Sequence, residues 1–236
     1  MPIDFQQGQV LAFDKPLTWT SFNLVAKVRW LISKRINGKI KVGHAGTLDP
    51  LATGVLIICT GKATKQIDQL QAGVKEYIAT LKLGATTPSF DLEKEIDAYY
   101  PTEHITEQLV RETLTTFVGE IMQVPPVFSA VKVDGKRAYD LARKGKDVEL
   151  KAKPLRIDEI ELLACDLQQQ EITIRVVCSK GTYIRALARD IGEALQSGAH
   201  LTALRRTRVG EVTVDQCFVS VEDFEQYLTE RYIEYR

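Results

Sequence analysis

No stretch of this sequence is apolar for the roughly 18 residues a membrane-spanning helix requires, and Met1 to Val10 lacks the basic start and apolar middle of a signal peptide. A cytoplasmic protein is expected. Cysteine is sparse: Cys59, Cys165, Cys178 and Cys217 lie far apart, with no Cys-x-x-Cys pair and no Cys/His cluster at zinc-site spacing. They read as reduced core thiols. Histidine is scarcer still, at His44, His104 and His200, so no metal is expected. Net charge is absent, since 31 basic residues offset 31 acidic ones, and taken whole that balance argues against a nucleic-acid partner.

The charge is distributed very unevenly, and this reverses the argument. Between Asp14 and Lys65 nine basic residues face two acidic ones, Asp14 and Asp49. Lys132 to Arg156 and Arg175 to Arg208 are each basic by five, whereas Asp91 to Glu120 is acidic by six and Glu222 to Arg236 by three. One basic and one acidic face would produce the overall zero. With 44% hydrophobic residues among 236, the chain can bury a sizeable core.

The most informative stretch is Lys41 to Lys65. Gly43, Gly46, Pro50 and Gly54 make its first half a loop, and Pro50 biases Asp49 toward an extended backbone. The β-branched run Val55 to Thr60 then reads as one buried strand that anchors the loop. An Asp before Pro ordinarily serves an Asx turn, and Gly61-Lys62 after a strand suggests a phosphate loop, but Leu56 stands where that loop needs glycine. Elsewhere the pattern gives a strand from Val10 to Phe13, broken by Asp14-Lys15-Pro16. A helix follows, capped at Thr20 or Ser21, with Phe22, Val25, Val28, Leu31 and Ile32 inward. Further elements are a short helix Ala63 to Leu70, a strand Tyr77 to Leu83, a helix Thr106 to Val118 and a strand Ile172 to Cys178. A helix with Thr182 as cap and Ile184, Leu187, Ala188, Ile191 and Leu195 inward comes next, and an acidic helical tail runs from Ser220 to Arg236.

Gly43-His44-Ala45-Gly46-Thr47-Leu48-Asp49-Pro50-Leu51-Ala52-Thr53-Gly54-Val55-Leu56 resembles the signature of the TruB family of tRNA pseudouridine synthases. Further resemblances are Lys-Pro-x-x-x-Thr-Ser at Lys15, with Thr18 in place of the usual glycine, Lys75-Glu76-Tyr77, and Gly84 to Asp91 with Ser89 for threonine. The segment from Pro125 to Gly145, then Ser179-Lys180-Gly181-Thr182-Tyr183-Ile184-Arg185, and Leu204-Arg205-Arg206 complete the match. It runs from about Val10 to Val214.

The resemblance implies an α/β (α+β) fold with a mixed, largely antiparallel central sheet flanked by helices. It implies one pseudouridine synthase catalytic domain over residues 1–236, an RNA-binding insertion at 123–157 and no appended C-terminal PUA domain. It assigns Asp49 as the nucleophile that isomerises uridine 55 of the tRNA T-loop, Tyr77 as the ring stacked on the flipped base, and Arg185 as the partner of the aspartate. Substrate contacts fall to His44, Lys65, Lys132, Arg143, Tyr183, Leu204 and Arg205. No cofactor is implied. The partner is tRNA through its T-arm, with no membrane and no obligatory protein partner, and the chain is expected to be a monomer. A non-catalytic tRNA-binding protein would need the basic face alone, and the joint presence of Asp49, Tyr77 and Arg185 argues against it.

Overall fold

The computed structural model describes residues 3–129, 132–133, 136–137 and 150–231. In chain order the strands are β1 (Val10–Lys15), β2 (Val42–His44), β3 (Ala52–Thr60), β4 (Lys75–Leu83), β5 (Ala85–Thr86), β6 (Ala98–Tyr99) and β7 (Gly119–Gln123). There follow β8 (Lys132–Val133), β9 (Lys136–Arg137), β10 (Lys153–Asp166), β11 (Glu171–Cys178), β12 (Ala199–Val209) and β13 (Val212–Thr213). The described helices are α1 (Ser21–Arg35), α2 (Ile67–Ala72), α3 (Glu107–Thr115), α4 (Ile184–Ala194) and α5 (Val221–Arg231). The fold is a mixed α/β arrangement with a largely antiparallel sheet, and the chain forms two compact units, Met1–Glu76 with Arg205–Arg236, and Tyr77–Leu204.

In the first unit β3 lies between β1 and the end of β12, with β2 along β3 and β13 along β12. Its side chains alternate. Leu56 and Ile58 enter the cluster of Phe13, Leu24, Val28, Ile32, Phe224 and Leu228, whereas Val55, Ile57 and Cys59 join Ala45, Ala63, Val209 and Cys217. A strand buried on both faces needs the continuous apolar run that the sequence shows there. Strand β1 is antiparallel to β3, pairing Phe13 with Leu56 and Lys15 with Gly54. It therefore runs to Lys15, two residues past the expected break, because Asp14 accepts the Gly54 amide and Pro16 is what ends the ladder.

Helix α1 starts from a capping box, in which Thr20 and Asn23 bond each other's backbone amides. Val25, Val28, Leu31 and Ile32 are buried as expected, but Phe22 is turned outward and Leu24, which was not expected inward, is buried. Of the acidic tail, Val221–Arg231 is helix α5 and residues 232–236 lie outside the described residues; the helix is amphipathic, with Val221, Phe224 and Leu228 buried. Phe224 packs edge-on to Phe13 and Phe218. Where a helix Ala63 to Leu70 is expected, a 3₁₀ turn, Gly61–Gln66, precedes α2. Gly61 has φ +49°, and Thr60 provides no side-chain cap for a longer helix.

In the second unit the strands follow the order β12, β4, β11, β10, β7. The long β10 is antiparallel to both β11 and β7. Thr182 does not cap α4, since its hydroxyl bonds back to the Ser179 carbonyl; Tyr183 occupies the cap position, and its amide is taken by the Gln123 side chain.

Candidate active site

Asp49 lies in the first unit, in the connection between β2 and β3, and that connection is gripped from several directions. The hydroxyl of Ser21 accepts the Leu48 amide at 2.9 Å and donates to the Leu48 carbonyl at 3.1 Å. The Thr18 amide donates to the Pro50 carbonyl at 2.8 Å, which Thr18 achieves at φ +69°, the left-handed conformation for which glycine is the usual residue. Gly54 is obligatory for another reason: a Cβ there would stand 2.1 Å from the Arg206 carbonyl.

Two buried cations complete the hold. Arg206, on β12 and 2% exposed, donates to the carbonyls of Val55 at 2.8 Å, Gly46 at 3.1 Å and Thr47 at 3.4 Å. Lys15, at the end of β1 and fully buried, donates to the carbonyls of Trp19 at 2.5 Å, Pro16 at 2.9 Å and Pro50 at 3.4 Å. Burial pushes the Lys15 ammonium down to about 8, against the attraction of Asp49. Both guanidinium and ammonium are thus spent on main-chain carbonyls flanking Asp49, and they place positive charge beside the carboxylate. Neither was assigned a role from sequence, although two adjacent arginines on a strand must point to opposite faces. That rule requires one of Arg205 and Arg206 to leave the surface.

Arg205 is the outward one. It makes a two-pronged pair with Asp14, 3.1 and 2.6 Å, and reaches the Thr53 hydroxyl at 3.2 Å. Its guanidinium is thereby engaged within the protein as well as half-exposed. His44, in β2, is half-buried, and its Nδ1 meets no hydrogen-bond partner among the described residues. Burial first, and then the charge of Arg206, push its imidazole below the usual histidine value of 6.5. The unfolded chain therefore takes up a proton on His44 before the folded chain does, so the associated stability is present above pH 6.5 and is lost as pH falls below it. Urea midpoints measured from pH 8 to 5 should decline less steeply for His44→Gln than for wild type, and parallel declines would refute the assignment. Lys65 is exposed on the 3₁₀ turn.

The second unit carries the other expected residues. Tyr77 is buried on β4, and Leu204 on β12 is half-buried. Arg185, on the first turn of α4 and 4% exposed, donates to the carbonyls of Ser89 at 3.1 Å and Phe128 at 2.9 Å, with its Nε 3.8 Å from Asp91. Asp91 is itself buried and accepts the Glu93 amide. Tyr183 is bracketed by the Gln123 amide, which takes its N–H and donates to its carbonyl. Lys132 lies on β8, and Arg143 falls outside the described residues. Among the described residues no three His, Cys, Asp or Glu side chains are grouped to hold a metal ion.

An aspartate fixed through its neighbours' backbone, with the buried Lys15 ammonium attracted to its carboxylate, suits attack on an electrophilic carbon. Residues 34–184 match the model of the TruB family pseudouridylate synthase N-terminal domain, and residues 185–235 match that of the tRNA pseudouridylate synthase B C-terminal domain. The chain belongs to the TruB family. It is a pseudouridine synthase, an isomerase. Among TruB relatives, a tRNA pseudouridine synthase B of Phocaeicola vulgatus is 71% identical over 98% of both chains. The protein of the same description from Parabacteroides distasonis is 68% identical, over 98% of this chain and 97% of its own. A solved H/ACA ribonucleoprotein bound to a substrate RNA containing 2′-deoxyuridine has a chain that is 30% identical, with a TM-score of 0.68 over 98% of this chain and 57% of its own. The present chain spans little more than half of that structural neighbour.

Proposed function

We propose that the chain converts uridine 55 in the T-loop of tRNA to pseudouridine, with Asp49 as nucleophile and the target nucleotide flipped out of the stack. The observation that carries this reading is the Asp49 loop, in which Ser21, Lys15 and Arg206 fix the backbone on both sides of one carboxylate. The reaction cleaves the N1–C1′ bond, turns the base and joins C5 to C1′, so atoms balance with no redox change and no cofactor. The proton on C5 leaves to solvent and N1, freed from C1′, takes one up. Asp49 either attacks C1′ directly or assists a glycal route in which another base removes the C2′ proton, with Tyr77 as the candidate base.

Flipping costs a few kcal/mol, offset by stacking on Tyr77 and by phosphate contacts. His44, whose burial disfavours the charged imidazolium, is suited to fill the space the base leaves. Arg185 is the cation that the family pattern assigns to the aspartate, and residues 123–157 are the segment proposed to grip the T-loop. The protein acts in this reading as a cytoplasmic monomer on the T-arm.

Tritium release from tRNA labelled at C5 of uridine tests the reaction and its position together. Release should be stoichiometric with one uridine and vanish when position 55 is cytidine; undiminished release from the cytidine substrate would sink the site assignment. Tyr77→Phe separates the two roles of that ring, since it keeps the stacking surface and removes the hydroxyl. A nearly dead variant that still binds tRNA assigns Tyr77 as base, and substantial turnover ends that assignment.

A further inference from the structure

The unexpected exposure of Phe22 is one end of a longer feature. Phe22 is 68% exposed, beside the buried Ser21 whose hydroxyl holds Leu48 in the Asp49 loop. The outward face of α1 therefore begins at that loop. On it Lys27, Trp30 and Lys34 fall within about 60° of one another around the helix, with Phe22 about 80° round from Trp30, and at 1.5 Å per residue Trp30 lies about 12 Å and Lys34 about 18 Å further along the helix than Phe22. Trp30 is 53% exposed, with the ammonium groups of Lys27 and Lys34 at 4.8 and 5.3 Å from its ring centroid. Helix α1 contains no acidic residue, and neither lysine makes an ion pair among the described residues. An ordinary solvated face would carry mixed charges and no large rings.

Two rings interleaved with two uncompensated ammonium groups, starting beside the nucleophile's loop, match the needs of one ligand class. Bases present π-faces to rings while the phosphates between them meet cations. We infer that the outward face of α1, from Phe22 through Lys27 and Trp30 to Lys34, is a track for the single-stranded RNA next to the nucleotide presented to Asp49. It takes bases on Phe22 and Trp30 and phosphates on Lys27 and Lys34. This rests on the reaction proposed above, which brings an RNA strand to that loop.

The test compares wild type with a Lys27→Gln, Trp30→Ala, Lys34→Gln triple variant on a T-arm stem-loop, and adds a Trp19→Phe protein in which Trp30 is the remaining tryptophan. The triple variant should bind the stem-loop at least tenfold more weakly. The slope of log K against log salt should become shallower by about 1.4 to 1.8, two phosphate contacts' worth. Turnover at saturating RNA should stay within about twofold of wild type, and stem-loop should quench Trp30 emission in the Trp19→Phe protein. Unchanged affinity and slope, a loss confined to turnover, or an unquenched Trp30 would overturn the track. Loss of binding to anionic phospholipid vesicles with RNA affinity intact would also overturn it, giving the face to a lipid surface. Absence of tritium release by wild type, with RNA affinity still dependent on this face, would instead remove the proposed reaction and leave the track. Should the triple variant fail to fold, the Trp30 quenching measurement decides.

Discussion

Asp49→Asn should bind tRNA normally and release tritium at least about a thousandfold more slowly than wild type, a loss of ~4 kcal/mol of barrier lowering. Asparagine occupies nearly the same volume, but its amide oxygen carries no negative charge with which to form a bond to carbon. The loop should keep its shape, because Ser21, Lys15 and Arg206 hold the backbone of Gly46, Thr47, Leu48 and Pro50. Single-turnover rates beside filter-binding affinities would measure both quantities. Turnover within tenfold of wild type would mean that the carboxylate is not the nucleophile.

Arg206→Met should lower turnover roughly a hundredfold while affinity for tRNA stays within about threefold, because a loop displaced by about 1 Å loses the attacking geometry. Methionine matches the length of the arginine stem but leaves the carbonyls of Gly46, Thr47 and Val55 without their donor. Each orphaned carbonyl costs about 1–3 kcal/mol, partly offset because a desolvated charge is also removed. Arg206→Lys should fall between, since a point cation cannot span three carbonyls. A second readout is the His44 titration, in which the lysine variant separates charge from packing. Arg206 is one cause of its depression, so the imidazole value should rise in Arg206→Met and stay low in Arg206→Lys. Unaltered turnover together with an unmoved His44 would show that Arg206 does nothing for the Asp49 loop.

What could be read from the sequence followed the strength of its local signals. Strand β3 was legible because Val55 to Thr60 is apolar without interruption, and burial on both faces is the one environment that fits such a run. Periodicity found the inward side of α1 but misassigned Phe22, because at the first turn of a helix a large ring can leave the stripe without breaking it. Thr182 looked like a cap by residue type, yet the decisive donor and acceptor came from Gln123, 60 positions away, which no local rule can supply. The same holds at the candidate site. Asp49 stood out as a lone carboxylate in a basic field, whereas Lys15 and Arg206 were two cations among many, separable from surface charge by burial alone. Arg205 was expected to meet the substrate, and the structure engages it with Asp14 as well.

The anchors of the Asp49 loop share a habit: hydroxyl, ammonium and guanidinium all take hold of peptide groups, at Gly46, Thr47, Leu48, Pro50 and Val55, as does the Asp14 carboxylate at Gly54. The loop is thus a mould whose shape is written in the walls around it. Because Ala or Ser would offer those walls the same amide and carbonyl, the exposed side chain of Thr47 can change without loosening the hold. The same property makes the segment transferable: its curvature would travel to another scaffold with Ser21, Lys15 and Arg206, and would be lost by moving the loop alone.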